Sequence, residues 1–225
     1  MSTTSDDSTI GALIAAQRAH WESTLAANPT MYGAEPSEPG RYATNRFCAE
    51  GLSEVLELGA GQGRDTLAML EAGLEVTALD YAVAPLADIA DAALSRGMKE
   101  RLMTVVHDVR EPLPFPDAGF DACYSHMLFT MALSSEELAA LANEVRRVLR
   151  PGGLCVYTVR HTADAHFGVG RSLGDNLYEN GGFVVHFFDH GLVDRLADGF
   201  DLDGVAAFEE GALPRRLWRV TMRRR

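Results

Sequence analysis

Three glycines spaced by single residues, Gly59, Gly61 and Gly63, interrupt the stretch "VLELGAGQGRDT" between an apolar run and a charged one. Glycine lets a backbone turn sharply or lie against a ligand with no Cβ in the way. The spacing therefore predicts a strand-to-helix turn, with Ala60 inside it, that cradles a small molecule. Glu57 stands two residues before the first glycine, at the carboxyl end of the predicted strand Val55–Leu58. A carboxylate there suits a cationic or hydrogen-bond-donating ligand. The dinucleotide fingerprint puts its third glycine three residues after its second, where this chain has Arg64, and that weakens a pyrophosphate reading.

Residues of this kind need a frame to bring them together, and the pattern beyond Val55 supplies one. Predicted strands at 55–58, 75–79, 103–107, 120–125, 154–159, 205–208 and 217–222 alternate with helical patterns at 64–72, 84–96, 136–149 and 192–197. Ser134 and Glu137 form a capping box for the third of these helices, and Pro151-Gly152-Gly153 stops it. Strands separated by helices of this length make right-handed crossover units on a parallel sheet covered on both faces. The last two strands are joined by a short turn at 211–214 and should pair antiparallel at one edge. The fold class expected is α/β, a Rossmann-like doubly wound sheet. Upstream, residues 1–9 are expected to be disordered, 10–27 to form an amphipathic helix, and "NPTMYGAEPSEPG" to be turn-rich.

Ligands of such sheets sit beyond the carboxyl ends of the strands. After the second strand comes Asp80, placed to accept both hydroxyls of a ribose and able to cap the next helix as well. After the third comes Asp108-Val109, a carboxylate for an exocyclic amine and a backbone N–H for a ring nitrogen, as adenine would require. After the fourth comes Ser125-His126-Met127, with His126 a candidate general base. Adenine, ribose and a cationic amino-acid tail near Glu57 together describe S-adenosylmethionine, a cofactor with no pyrophosphate.

At this point the chain resembles a known family, the class I S-adenosylmethionine-dependent methyltransferases. "VLELGAGQG" is similar to their first motif, "VTALD" to the acidic end of the second strand, "HDVREPLPFPDAGFDACYSHM" to the third-strand loop and fourth strand, and "EVRRVLRPGGLCVYTV" to the helix and fifth strand. The resemblance implies seven strands with the last antiparallel. It also implies cofactor contacts at Gly59, Gly61, Asp80 and Asp108 with Tyr81 beside the adenine; Ser125 and Met127, at the end of the fourth strand, complete the expected cofactor set. "MYGAEPSEPGRY", "GQGRDT", "VRHTADAHFGVGRSLGDN" and "GFVVHFF" look like the tellurite-resistance and thiol-type small-molecule branch of that family. The Asn/Asp-Pro-Pro-aromatic signature of amino-methylating DNA enzymes is replaced here by "SHML".

The expected organisation is a helical lid segment over residues 1–50 and a methyltransferase domain over 51–225 with a substrate-loop insertion at 161–188. Lid and insertion should roof the acceptor with Tyr32, Arg41, His126, His161, His166, Arg171 and Tyr178, and removing residues 1–45 should spare much of the fold. His161, Asp164, His166 and His186 lack the regular spacing of a metal site, so no metal is expected. A formal net charge of -12 argues against duplex nucleic acid as a partner. The polar, acidic start, the lack of a bilayer-length apolar run and three cysteines without a pairing pattern point to a cytoplasmic chain. The expected reaction is in-line methyl transfer to a small molecule. A non-catalytic cofactor-binding regulator and a nucleotide-dependent oxidoreductase are the alternatives.

Overall fold

The structure, a computed structural model, describes residues 4–28, 31–211 and 215–225. In chain order the elements are α1 (Thr4–Ala27), α2 (Glu38–Glu50), β1 (Glu54–Leu58), α3 (Arg64–Glu71), β2 (Glu75–Asp80), α4 (Val83–Ser95), β3 (Leu102–Val106), β4 (Phe120–His126), α5 (Ser135–Val148) and β5 (Leu149–Arg160). Then follow β6 (Arg171–Gly174), β7 (Leu177–Asn180), β8 (Phe183–His186), α6 (His190–Leu196), β9 (Phe200–Glu210) and β10 (Arg215–Arg224). The main sheet has seven strands in the order β3-β2-β1-β4-β5-β10-β9. β1 to β5 run parallel, and β10 is antiparallel to both β5 and β9. The order reverses between β1 and β4, and a crevice opens there at their carboxyl ends.

Side-chain alternation along the strands divides the core into two halves. Val55, Ala122, Tyr124, Leu154 and Val156 face a layer built on Phe47, Met69, Leu70 and Ile89 of α2, α3 and α4. Their neighbours Leu56, Leu58, Cys123, Cys155 and Tyr157 face Leu138, Leu141, Val145, Leu192 and Leu196 of α5 and α6. A period of two in the strands thus sends successive residues to opposite helical layers. Cys123 and Cys155 are opposite each other in the β4–β5 register, both buried as free thiols, while Cys48 is exposed.

Three regions differ from the sequence expectation. Residues 4–9, expected to be disordered, are the first turns of α1. The turn-rich stretch ends in a helix: the Ser37 hydroxyl accepts from Gly40 N–H at 2.8 Å, Pro39 occupies the first turn, and Gly51 closes α2 in the left-handed conformation. This helix is bolted into the core. Asp65 on α3 accepts from the Ser37 N–H at 2.7 Å, the Ser37 hydroxyl at 2.7 Å and the Tyr124 hydroxyl at 2.8 Å, and Phe47 is fully buried. The insertion, expected as a loop, is a three-stranded antiparallel sheet, β6-β7-β8. Asp175 and Asn176 at φ of 48° and 58° form its first two-residue turn, and Gly181-Gly182 at 62° and 89° the second.

Candidate active site

The glycine turn spends its own amides. Gly59 and Ala60 N–H both donate to Leu79 O, at 2.8 and 3.2 Å, and Gly63 N–H donates to Ala60 O at 2.9 Å. Gly61 N–H donates to the Asp80 carboxylate at 2.9 Å, and the other oxygen of that carboxylate accepts from Ala82 N–H at 2.9 Å. Asp80 therefore ties the glycine turn to the start of α4. It lies two residues before the N-cap of α4, Ala82, so it is not itself the cap residue. Each of its oxygens keeps a lone pair for a further donor. Burial raises its pKa against these backbone hydrogen bonds. A Cβ on Gly61 would meet no atom within 4 Å, because it would point into open space, whereas Cβ atoms on Gly59 and Gly63 would strike Leu128 and Ile89. Two glycines allow close packing and the third faces the void.

That void is a cavity of roughly 400 Å3 at the sheet's carboxyl edge. Glu57, Gly59, Ala60, Gly61, Gly63, Asp80, Tyr81 and Met127 line one end, and Tyr32, His126, His166 and Tyr178 belong to the other. Glu57 is buried and accepts from the Thr66 hydroxyl; burial pushes its pKa up to about 8, with Asp65 and Asp80 adding to the rise. The Tyr81 hydroxyl is likewise raised, chiefly by burial and then by Asp80.

Other expected residues stand outside the wall. Asp108 is held by Arg110 in a two-pronged ion pair at 3.0 and 2.6 Å, which lowers its pKa, and with Val109 it lies away from the cavity lining. Ser125 is fully buried and donates to Leu58 O at 3.0 Å, tying β4 to β1 behind the wall. Arg41 turns back to Pro36 O at 2.5 Å. His161 stacks on Trp218 at 4.5 Å with its pKa lowered by burial, and Arg171 lies on β6. Asp108, Ser125, Arg41 and His161 are each claimed by a neighbouring backbone group or side chain of the fold. Asp164 and His186 are also committed, to Arg160 and Leu133 O respectively, and among the described residues no three His, Cys, Asp or Glu side chains converge on a point.

The family described as "Methyltransferase domain" matches residues 55–153, the segment that carries the glycine turn, Asp80 and β4. Residues 55–153 thus carry the pattern of a methyltransferase domain, in keeping with the resemblance to the class I methyltransferases. Sterol 24-C-methyltransferase ERG6B of Gibberella zeae is 28% identical over 72% of this chain and 43% of its own length. tRNA N(3)-cytidine methyltransferase METTL2 of Gallus gallus is 28% identical over 63% of this chain and 40% of its own. The chain thus spans less than half the length of these curated relatives. Among solved structures, Burkholderia thailandensis 1,6-didemethyltoxoflavin-N1-methyltransferase, with its substrate and S-adenosylhomocysteine bound, superposes with a TM-score of 0.74. The match is 24% identical and covers 93% of this chain and 88% of that one.

The second end of the cavity is built largely from residues the sequence did not single out. The His126 ring accepts or donates at 2.8 Å to the Thr158 hydroxyl through Nδ1, and its Nε2 lies 3.3 Å from Glu210 at the end of β9. Glu210 also accepts from Arg64 at 3.0 Å, while Arg64 donates to Tyr32 O at 3.0 Å and lies over the Tyr32 ring. Burial works to raise the Glu210 pKa, but the hydrogen bond from His126 and the charge of Arg64 bring it down to about 2. Arg160, at the carboxyl end of β5, pairs with buried Asp164 at 2.5 Å and lies over the Phe187 ring. The strand-end rule that selected Asp80 and His126 selects Arg160 too, once β5 is followed to its last residue. Glu210 is the last residue of β9, which runs in the same direction as β5 with β10 antiparallel between them, so the same rule reaches it once β9 is followed past Phe208. Trp21 and Leu25 of α1, with Phe183 and Val185 of β8, close the roof, and Gln17 of α1 donates to Gly182 O at 2.8 Å and accepts from Val184 N–H at 3.1 Å. No helix among the described residues is long and apolar enough to cross a membrane.

Proposed function

We propose that the protein transfers a methyl group from S-adenosylmethionine to a small-molecule acceptor. The observation that carries this reading is the buried Asp80 carboxylate beside the open space that Gly61 leaves at the carboxyl edge of the sheet. A carboxylate in that place accepts from the hydroxyls of a ribose. The residues present fit the cofactor: Gly61 leaves open space, Asp80 retains lone pairs for the 2′ and 3′ hydroxyls, Tyr81 stands beside it for the adenine, and Glu57 lies where an ammonium would pair. When bound, the cofactor supplies an electrophilic methyl on a sulfonium whose leaving group is neutral.

What the chain's own residues contribute is alignment and a dry site. Met127, Leu128 and Met131 form an apolar wall between the two ends, and α1 with the insertion covers it. Met127 holds φ of 68°, unusual for a side chain with a Cβ, and its N–H donates to Thr158 at 3.0 Å, so the β4 end is locked in a form that exposes this wall. His126 spends both ring nitrogens on Thr158 and Glu210. It therefore positions β4 against the β9–β10 hairpin. The roofed cavity and the net charge of -12 support a small acceptor over a polynucleotide.

Calorimetric titration with S-adenosylmethionine, S-adenosylhomocysteine and NAD tests the reading. The first two should compete for one site and NAD should not bind. Lack of binding by either sulfur ligand at millimolar concentration overturns it, and binding without methyl turnover across a broad acceptor screen would assign the chain to a regulator.

A further inference from the structure

The two ends of the cavity differ in charge. Carboxylates Glu57, Asp65 and Asp80 line the end assigned above to the cofactor, with Asp65 spent on Ser37 and Tyr124; three arginines, Arg64, Arg160 and Arg215, line the other, with Glu210 the carboxylate among them. Glu210 is spent on Arg64 and His126, and Asp164 behind the wall is spent on Arg160. Among the described residues Arg215 takes part in no ion pair, and its charge is felt at the Tyr32 hydroxyl. A cationic acceptor would meet an unbalanced positive charge, whereas an anion would complete it.

Shape adds a second constraint. Phe167, Tyr178 and Phe187 meet edge to face at 5.4 to 6.0 Å, and Tyr178 and Phe187 present this cluster to the cavity with Phe183. The Arg160 guanidinium covers the Phe187 ring at 5.0 Å, and the Tyr32 and His126 rings stand in the remaining wall. Aromatic groups on its walls favour flat ligands, because aromatic faces and edges stack with little loss of side-chain freedom.

We propose that the acceptor is a small aromatic or heteroaromatic ring with an acidic O–H or N–H, bound as its ring-stabilised anion between the insertion's aromatic cluster and these arginines. The inference rests on the methyl-transfer reading. The acceptor's proton leaves to the buffer on binding; the anion's lone pair then forms the new bond to the methyl carbon, and the carbon–sulfur pair returns to sulfur. No protein base is required, because the proton has already left to the buffer.

The test is equilibrium binding of 4-nitrophenol, 4-nitroanisole and 4-nitrobenzylamine to the full chain, with and without S-adenosylhomocysteine. The phenol should bind as its coloured phenolate at a pH where the free compound is mostly protonated, and at least about tenfold more tightly than the anisole. Arg215→Gln should remove most of that preference and leave the anisole unchanged. This variant orphans no buried partner, whereas Arg160→Met would strand Asp164. Equal affinity for phenol and anisole, tightest binding of the amine, an unchanged preference in Arg215→Gln, or no ring bound while S-adenosylhomocysteine still titrates would each overturn the proposal. Failure of S-adenosylhomocysteine itself would instead strike the methyl-transfer reading, and ring binding measured without it would still decide this one.

Discussion

At the cofactor end of the cavity the polar contacts join residues close in sequence, Thr66 to Glu57 at a separation of 9 and Gly61 to Asp80 at 19. At the acceptor end they join distant ones, Arg64 to Glu210 at a separation of 146 and Gln17 to Gly182 at 165. The first end is one strand-turn-helix unit and its neighbour, fixed by backbone geometry that few residue types satisfy. The second is a meeting of α1, β5, the insertion and the β9–β10 hairpin, where many side chains could serve. Cofactor geometry is thus a local property of the chain, and acceptor geometry a property of its packing.

The largest expected effect breaks the simple division of roof from sheet. Deleting residues 1–45 would remove Ser37 and leave the buried Asp65 carboxylate with the Tyr124 hydroxyl alone. Urea unfolding should show a loss of about 3–5 kcal/mol or no folded protein, while deleting 1–27 leaves the α2 anchor intact. Equal midpoints for the two truncations would show that α2 belongs to the roof after all.

Next come changes at the cofactor end. Asp80→Ala should weaken S-adenosylhomocysteine binding by about 1–3 kcal/mol, since it removes the acceptor of the Gly61 N–H as well as that of a ribose. Gly61→Val should be worse, with a branched side chain at φ of 52° pointing into the void. Titration calorimetry reads both, and an unchanged affinity in either folded variant would take the cofactor away from the turn.

Acidity sharpens the contrast. Glu57, raised to about 8, carries its proton at neutral pH until a cationic ammonium approaches; pairing lowers its pKa and releases the proton. Affinity for S-adenosylhomocysteine should therefore climb as pH rises toward 8, by at most about tenfold per pH unit, and level off above it. Glu57→Gln should bind more weakly with a flat profile. A wild-type profile that is flat across this range would remove Glu57 from the ammonium.

The smallest effect lies at the acceptor end. Glu210 titrates at about 2 in the fold against an ordinary 4.5, so its contribution to stability is present above pH 4.5 and fades as pH falls toward 2. Glu210→Gln should cost about 1 kcal/mol at neutral pH, because the ion pairs are partly open to solvent, and should flatten the acid limb of the unfolding curve. Its cofactor affinity should stay at the wild-type value; a large drop would mean that the two ends are mechanically one.

By itself the sequence determined the parallel core, the antiparallel edge, the capping box at Ser134 and the glycine turn with Glu57 and Asp80, because periodicity and glycine geometry are set within a few residues. The same local logic was present but unread in "GDNL" and "NGGF", whose left-handed turns fold the insertion into β6-β7-β8, and in the Ser37 cap that starts α2. The Arg110 partner of Asp108 lies only two residues on and was equally local. Only the tertiary structure decided that Trp218 stacks on His161 and that Arg160, Glu210 and Arg215 meet at one cavity. A strand end can be located from pattern alone. Which side chains meet beyond it depends on contacts between segments far apart in sequence, Arg64 with Glu210 at a separation of 146 among them, and that is settled by packing.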